Sequence, residues 1–455
     1  MDALRREQAA VTNQAVPGSV VAYVPDPSGS QPNSGNPEVE RAGSSELREE
    51  LEVLQAEIKQ HDQSKLESLS KYPVRVYGLI LFNSFSNAGV VDNPDLPSSA
   101  FFRVPGTSHG SVSATLRQTL FGIQAFGPKI WAATTAADIS ADFFGDIAYT
   151  SYGSSAGALR LRRADISLDW QREGSRDEVH LGVDAPLISP LSPTSYATVA
   201  QPALAWSGNL WTWEPQLRYK HTLAVNSANT RTLQFEGGLW DPPGLGSDPA
   251  GSTRALSPGE LARVPGLEGR VSVHAGAATH PFSLGVGGYS DEQLYNSGQK
   301  IRTYAVTADW QLPLAPHVEL EGEFYRGRGL GGLGGGAYKD VLTGLDVRTG
   351  VARTLGLNAI GGWTQLKNRI NSQLELNGAF GLDQGFASDF HQLDLGAKLK
   401  YPASTTRTQS LFGNVIYRPK TYLILSPEYR HISSWNIGRP VYRANIYTFS
   451  LGFEF

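Results

Sequence analysis

The chain has 455 residues with 40% hydrophobic and 18% charged side chains, 49 Gly, 27 Pro and no Cys. Lack of cysteine excludes disulfides, thiolate chemistry and Cys-ligated metal, and a formal net charge of -4 argues against a nucleic-acid partner, which needs a basic surface. So much Gly and Pro with so little charge points to strands and turns rather than a helical enzyme, and the length suits several soluble domains or one large barrel.

Residues 1–43 open with MDALRREQAAVTNQ, which is charged and lacks the apolar run of an export signal, so the chain reads as a mature or truncated form. A cytoplasmic protein is the alternative. The Pro-, Gly- and Ser-rich stretch that follows reads as irregular. Residues 44–72 carry Leu47, Leu51, Leu54 and Ile58 in coiled-coil spacing, with Ser44 or Ser45 as the cap. His61 and Lys65 take the next two seam positions, which leaves a solitary solvated helix open. No window approaches the roughly 20 apolar residues of a membrane-spanning helix.

Residues 73–455 read as strand after strand. Candidates are 74–83, 111–123, 129–144, 159–170, 178–186, 213–223, 231–240, 270–277, 281–290, 301–313, 317–326, 353–367, 372–383, 407–417, 421–431 and 445–455, sixteen in all. An even number suits a single-chain bacterial barrel. Residues 391–401 also alternate and are assigned to an outer-loop excursion; 18 strands are the alternative. Short links at 126–128, 279–281, 314–316 and 418–420 alternate with long ones at 84–110, 187–210, 241–269, 327–352 and 384–406. Such sorting marks an outer-membrane barrel, with short turns in the periplasm.

The faces agree. In the last segment Tyr447, Phe449, Leu451, Phe453 and Phe455 oppose Thr448, Ser450, Gly452 and Glu454. In 317–325, Val318, Leu320, Gly322 and Phe324 oppose His317, Glu319, Glu321, Glu323 and Tyr325. A row of carboxylates belongs in a watery lumen and the aromatic row against lipid. Residues 163–170 behave alike, with Ala164, Ile166, Leu168 and Trp170 opposite Arg163, Asp165, Ser167 and Asp169.

The ordered blocks YGLILFNSF, ATLRQTLFGIQA, ADFFG, LRLRRA, GGWTQLK, ELNGAFGLD and FGNVIYRP, with an aromatic C-terminus, resemble the DcaP-like family of trimeric bacterial outer-membrane porins over roughly residues 44–455. The resemblance implies 16 strands, a homotrimer, an N-terminal periplasmic coiled coil and passive diffusion leaning toward small anions such as dicarboxylates. Where the family often has a Trp before its third loop, GVDAPLISPLSP has none, so a contact there does not carry over. The Pro-rich segment upstream is also longer than the family leads one to expect.

The site candidates belong to transport. Arg160, Arg162 and Arg163, then His180, then Arg218 and Lys220 fall on three successive strands and form a basic ladder, which Arg117 extends. Walls of Arg and Lys favour anions. The alternative is that they pair with Asp165, Asp169 and Asp184 to stiffen the wall. Glu319, Glu321 and Glu323 form an opposing acidic row. Residues 187–210 carry no charge and are expected to fold inward and narrow the pore.

Other chemistry finds little support. Gly327, Gly329 and Gly332 have GxGxxG spacing but open no helix, so the run reads as a flexible outer loop and no cofactor is expected. The histidines show no metal-ligand spacing. His109, His391 and His431 fall on or beside outer loops, where a barrel protease could hold acid and base groups, and a barrel phospholipase would need Ser and His on adjacent strands. A barrel enzyme and a secreted all-β binding protein remain as alternatives. Expected partners are outer-membrane lipid, small hydrophilic or anionic solutes, and the barrel-assembly machinery through the C-terminal strand and Phe455; none is nucleic acid.

Overall fold

Period-two alternation makes these strands, and their closure makes a lumen. The computed structural model describes residues 72–145, 157–226, 230–245, 254–276, 281–295, 298–395 and 404–455. The irregular segment 1–43 and the coiled-coil expectation at 44–72 lie outside them, Tyr72 apart.

In chain order the strands are β1 (Val74–Ala88), β2 (Gly110–Thr115), β3 (Leu120–Phe126), β4 (Thr134–Asp142), β5 (Arg160–Arg172), β6 (Ser175–Asp184) and β7 (Glu214–Ala224). There follow β8 (Arg231–Trp240), β9 (Gly266–Ala275), β10 (Phe282–Leu294), β11 (Lys300–Ala315), β12 (Val318–Arg328), β13 (Val341–Asp346) and β14 (Ala352–Gly356). The last are β15 (Asn358–Arg369), β16 (Leu374–Gly385), β17 (Leu393–Asp394), β18 (Thr405–Lys420), β19 (Leu423–Asn436) and β20 (Tyr442–Glu454). All except β13, β14 and β17 join one 17-stranded antiparallel sheet. β2 and β3 both pair with β1 and are two lengths of one stave, so the barrel has 16 staves.

Closure is by β1 on β20, from Leu79 opposite Glu454 to Ala88 opposite Asn445. Gly78 and Phe455 exchange backbone hydrogen bonds, each 3.0 Å. A closed sheet leaves no edge to recruit another chain. On β20 Tyr447, Phe449, Leu451 and Phe453 point outward and are exposed, whereas Thr448 and Ser450 are buried inside. The outward apolar belt runs round the barrel and is far larger than a water-facing surface tolerates.

Several boundaries differ from the sequence reading, each for a local reason. The stretch 111–123 breaks at residues 116–119, where Arg117 turns in to pair with Asp95 of the β1–β2 connection and Gln118 turns in to bond Ala197. β4 starts only at Thr134, because Trp131 and Ala132 take left-handed backbone conformations with φ of 49° and 67°. Segment 353–367 divides: β14 leaves the barrel to form a small sheet with β13 and β17. That sheet absorbs the start of 391–401, the segment assigned to an outer excursion, and keeps the stave count at 16. The Gly-rich run is packed rather than open. Leu330 and Leu333 are buried, and a Cβ on Gly331 or Gly332 would strike the backbone of Asp340 or Gly244.

Candidate functional site

Residues 185–213 join β6 to β7 and run through the lumen. The loop carries many backbone polar groups and no charged side chain, so the inward side chains of the wall satisfy it. Glu268 on β9 accepts from Leu187 N at 2.8 Å. Glu323 on β12 accepts from Ser189 Oγ at 2.5 Å and Leu191 N at 2.7 Å. Gln365 on β15 accepts from Thr194 N at 2.8 Å, and Glu428 on β19 from Ser195 Oγ at 2.5 Å. Past β20 the loop crosses to the β1–β5 side. Gln118 bonds Ala197 and Ala200, and Arg162 donates to the Val199 carbonyl at 2.7 Å. Arg160 donates to the Ala200 carbonyl. Apolar contacts follow the same path, with Ala203 and Leu204 packed among Trp363, Ala379 and Phe412. Gly208, with φ of 105°, lies so close to Gly362 that no side chain fits.

The ten sequence candidates separate into two groups. Arg117 is buried under the loop, paired with Asp95 at 2.5 Å and set over the Phe144 ring at 4.5 Å. Arg160 forms a two-toothed pair with Asp142, and Arg160 and Arg162 stack over Trp213 at 5.0 and 4.8 Å. Glu319 and Glu321 meet Lys367 and Arg369, while Glu323 is occupied by the loop and by Trp363 Nε1 at 3.1 Å. These six groups hold structure together.

Arg163, His180, Arg218 and Lys220 come together on the wall of β5, β6 and β7 and stay partly open. Arg163 pairs with Asp165 at 2.7 Å and Asp184 at 3.6 Å; His180 reaches Asp165 at 3.2 Å. Lys220 reaches Glu178 at 3.0 Å, and Arg218 reaches Asp184 at 3.7 Å. Pairing on this scale was the less specific of the two readings of the ladder. A bulge explains how Arg160, Arg162 and Arg163 all turn inward: Ser140 faces Arg163 while Ala141 faces Leu161, so Arg162 is an extra residue in β5. Strict alternation would have sent one of them into lipid.

Sequence reading missed Asp138, Glu178, Glu236, Arg270 and Asp309. Asp138 accepts from Tyr77 Oη at 2.9 Å, and Arg270 bridges Glu236 and Asp309 at 2.7 Å each. Each is a charge of inward parity on a strand, which was the available signal. The loop also carries a run of partly exposed rings. Tyr338 stacks on Trp206 at 4.3 Å, Trp206 meets Trp211 at 5.8 Å, and Trp211 meets Trp213 at 5.1 Å. Among the described residues no group of acidic and His side chains has the arrangement of a metal site.

No family model and no curated relative matches this chain. Solved structures do. The outer-membrane channel DcaP of Acinetobacter baumannii superposes with a TM-score of 0.62 at 16% identity, over 85% of this chain and 99% of that one. An anion-selective porin from Comamonas acidovorans gives 0.50 at 11% identity, over 84% and 99%. Salmonella typhi OmpF gives 0.50 at 11% identity, over 84% and 98%. At these identities the likeness is one of fold. This chain has the fold of the DcaP-like outer-membrane porins, the family its sequence blocks resemble.

Proposed function

We propose that this protein is an outer-membrane porin through which small hydrophilic solutes diffuse passively. One observation carries the reading: a polar lumen is crossed by a firmly held loop along one side, while the wall of β4 to β9 keeps charged groups partly open to water. Its path would be lined by Asp138, Arg163, Glu178, His180, Arg218, Lys220 and Glu236. Low-dielectric surroundings strengthen the field of such groups on a passing ion.

A mild preference for anions belongs to the same proposal. The wall holds acids as well as bases, so position decides. Arg163 is 40% exposed and its partner Asp165 5%; Lys220 is 25% exposed and Glu178 10%. Long basic side chains reach over short carboxylates and present the positive end to water. Arg218 and Asp184 run the other way, at 16% and 25%, which keeps the preference mild. A homotrimer, a periplasmic N-terminal extension, and delivery to the membrane by the barrel-assembly machinery through β20 complete the reading, supported by the family likeness.

Planar-bilayer recording tests it. The purified protein should give discrete conductance steps, and a salt gradient should give a reversal potential of anionic sign. Cation selectivity would end the anion claim alone. A protein that inserts but never conducts would end the porin reading.

A further inference from the structure

We infer a second site, on the outward face of the barrel, in which Ser433, His431 and Asn445 form the catalytic group of a serine esterase acting on carboxylic esters of membrane lipid. The proposal needs the outward face to meet lipid; it does not depend on conductance through the lumen.

His431 and Ser433 lie two apart on β19 and so project from the same face. Their side chains meet, His431 Nε2 to Ser433 Oγ, at 3.2 Å. Asn445, paired across the ladder with His431, places Oδ1 2.7 Å from His431 Nδ1. The Tyr429 hydroxyl donates to the same Oδ1 at 2.9 Å and holds the amide in place. Oδ1 can only accept, so His431 carries its proton on Nδ1 and leaves Nε2 free to take the serine proton. Nucleophile, base and orienting group therefore stand in the order that acyl transfer requires. A search for Ser and His on adjacent strands overlooks it, because the two share one strand.

The surroundings fit a lipid ester. The face is that of Tyr429, Tyr447 and Phe449, all exposed, where acyl chains would lie. β19 leaves its short turn at residues 421–422 and ends at Asn436, so Ser433 lies about 10 Å below the outer end of the strand. The proposal sets the ester groups of the outer half of the membrane at this level. Gln409 on β18 and Arg443 on β20 are directly opposite Ser433 in register and share its face. Both carry N–H donors suited to a developing oxyanion. Ser433 itself is only 6% exposed, covered by its protein neighbours, so a lipid ester reaches it only when those side chains part.

The chemistry balances with water as the one co-reactant. Ser433 Oγ bonds to the ester carbonyl carbon as its proton passes to His431 Nε2. The tetrahedral adduct collapses, the C–O bond to the glycerol oxygen breaks, and that oxygen takes the proton from Nε2. Water then attacks the acyl-serine, delivering a proton through Nε2 to Ser433 Oγ and releasing the fatty acid. Asn445 is a positioning residue.

The test uses the full chain assembled in detergent, with phosphatidylcholine mixed micelles as substrate and a fluorophosphonate as active-site label. Wild type should release fatty acid and take one label on the Ser433 peptide. Ser433→Ala and His431→Ala should each lose about 10²- to 10⁴-fold in kcat, with the migration of unboiled samples unchanged as evidence of folding. Asn445→Ala should lose kcat with KM kept, and Asn445→Asp, which restores the acceptor, should recover it. Absence of both hydrolysis and label in wild type would overturn the proposal, as would a Ser433→Ala variant as active as wild type. Asn445→Asp as poor as Asn445→Ala would remove Asn445 from the group. Failure of conductance would instead strike the porin reading and leave this one standing.

Discussion

The two sides of the lumen are built from the same alternation yet use their charges differently. On β12 to β19 the inward polar groups Glu319, Glu321, Glu323, Gln365, Asn414, Glu428 and Arg430 are all buried, consumed by the inserted loop or by neighbouring side chains of the wall. On β5 to β7 Arg163, His180, Arg218 and Lys220 are paired as well but keep contact with water. Inward parity therefore says that a side chain is polar and enclosed. Whether it meets solute or scaffold depends on where the loop lies.

That comparison fails if charge removal has equal consequences on both sides. Arg430→Met would leave Glu428 buried without its 2.7 Å partner, a loss of about 3–5 kcal/mol. Lys220→Gln should cost less than about 1 kcal/mol, since the partly wet pair is screened. Urea unfolding in one detergent, read by migration of unboiled samples, compares them directly. Equal losses would mean that the sides are equally wet.

Glu323→Ala sharpens the contrast by acting on the loop. It strips acceptors from Ser189, Leu191 and Trp363. An unsatisfied buried donor costs about 1–3 kcal/mol. The loop should loosen, and single-channel conductance should rise and become noisier. Unchanged, quiet conductance would show that the loop does not set the width of the path.

On the wet side the expected change is in selectivity, not stability. Arg218→Gln with Lys220→Gln leaves Asp184 and Glu178 without those partners, so the reversal potential should move through zero toward cations. At 1 M salt, where the screening length is ~3 Å, the shift should nearly vanish. A double variant with wild-type selectivity at low salt would place the filter elsewhere.

Most of the barrel was legible because period-two alternation is a local property. The faces of residues 317–325 and 445–455, the stave count and the sorting of short and long links all come from it. What was not legible depends on contacts distant in sequence. That Glu323 meets Ser189, 134 residues away, is written in neither segment. Arg160, Arg162 and Arg163 share the inward side only because of a bulge that the residues themselves do not show. The Gly-rich run looked flexible because glycine permits both freedom and crowding, and only the neighbours decide between them.

The smallest expected effect extends the dry side into the outer loop at its top. Lys339 is enclosed, donating to the carbonyls of Ala337 and Thr405, and burial lowers its pKa to about 7. Next to it Asp340 accepts from Leu245 N and Gly332 N, and burial raises its pKa to about 7. The signs oppose. The raised acid means that the unfolded loop releases its proton first as pH rises from about 4 to 7, so the folded loop loses stability over that window. The lowered base means that the unfolded loop holds its proton longer between about pH 7 and 10, so the folded loop gains stability there. The segment 327–340 should be least firmly seated near pH 7 and firmer on either side. Trp206, stacked on Tyr338 at 4.3 Å, reports it, since unseating the loop would change the tryptophan emission. The opening signal under mild urea should peak near pH 7. Asp340→Asn should flatten the acid arm and Lys339→Met the alkaline arm, while a monotonic profile in wild type would show that the two groups are not enclosed as a pair.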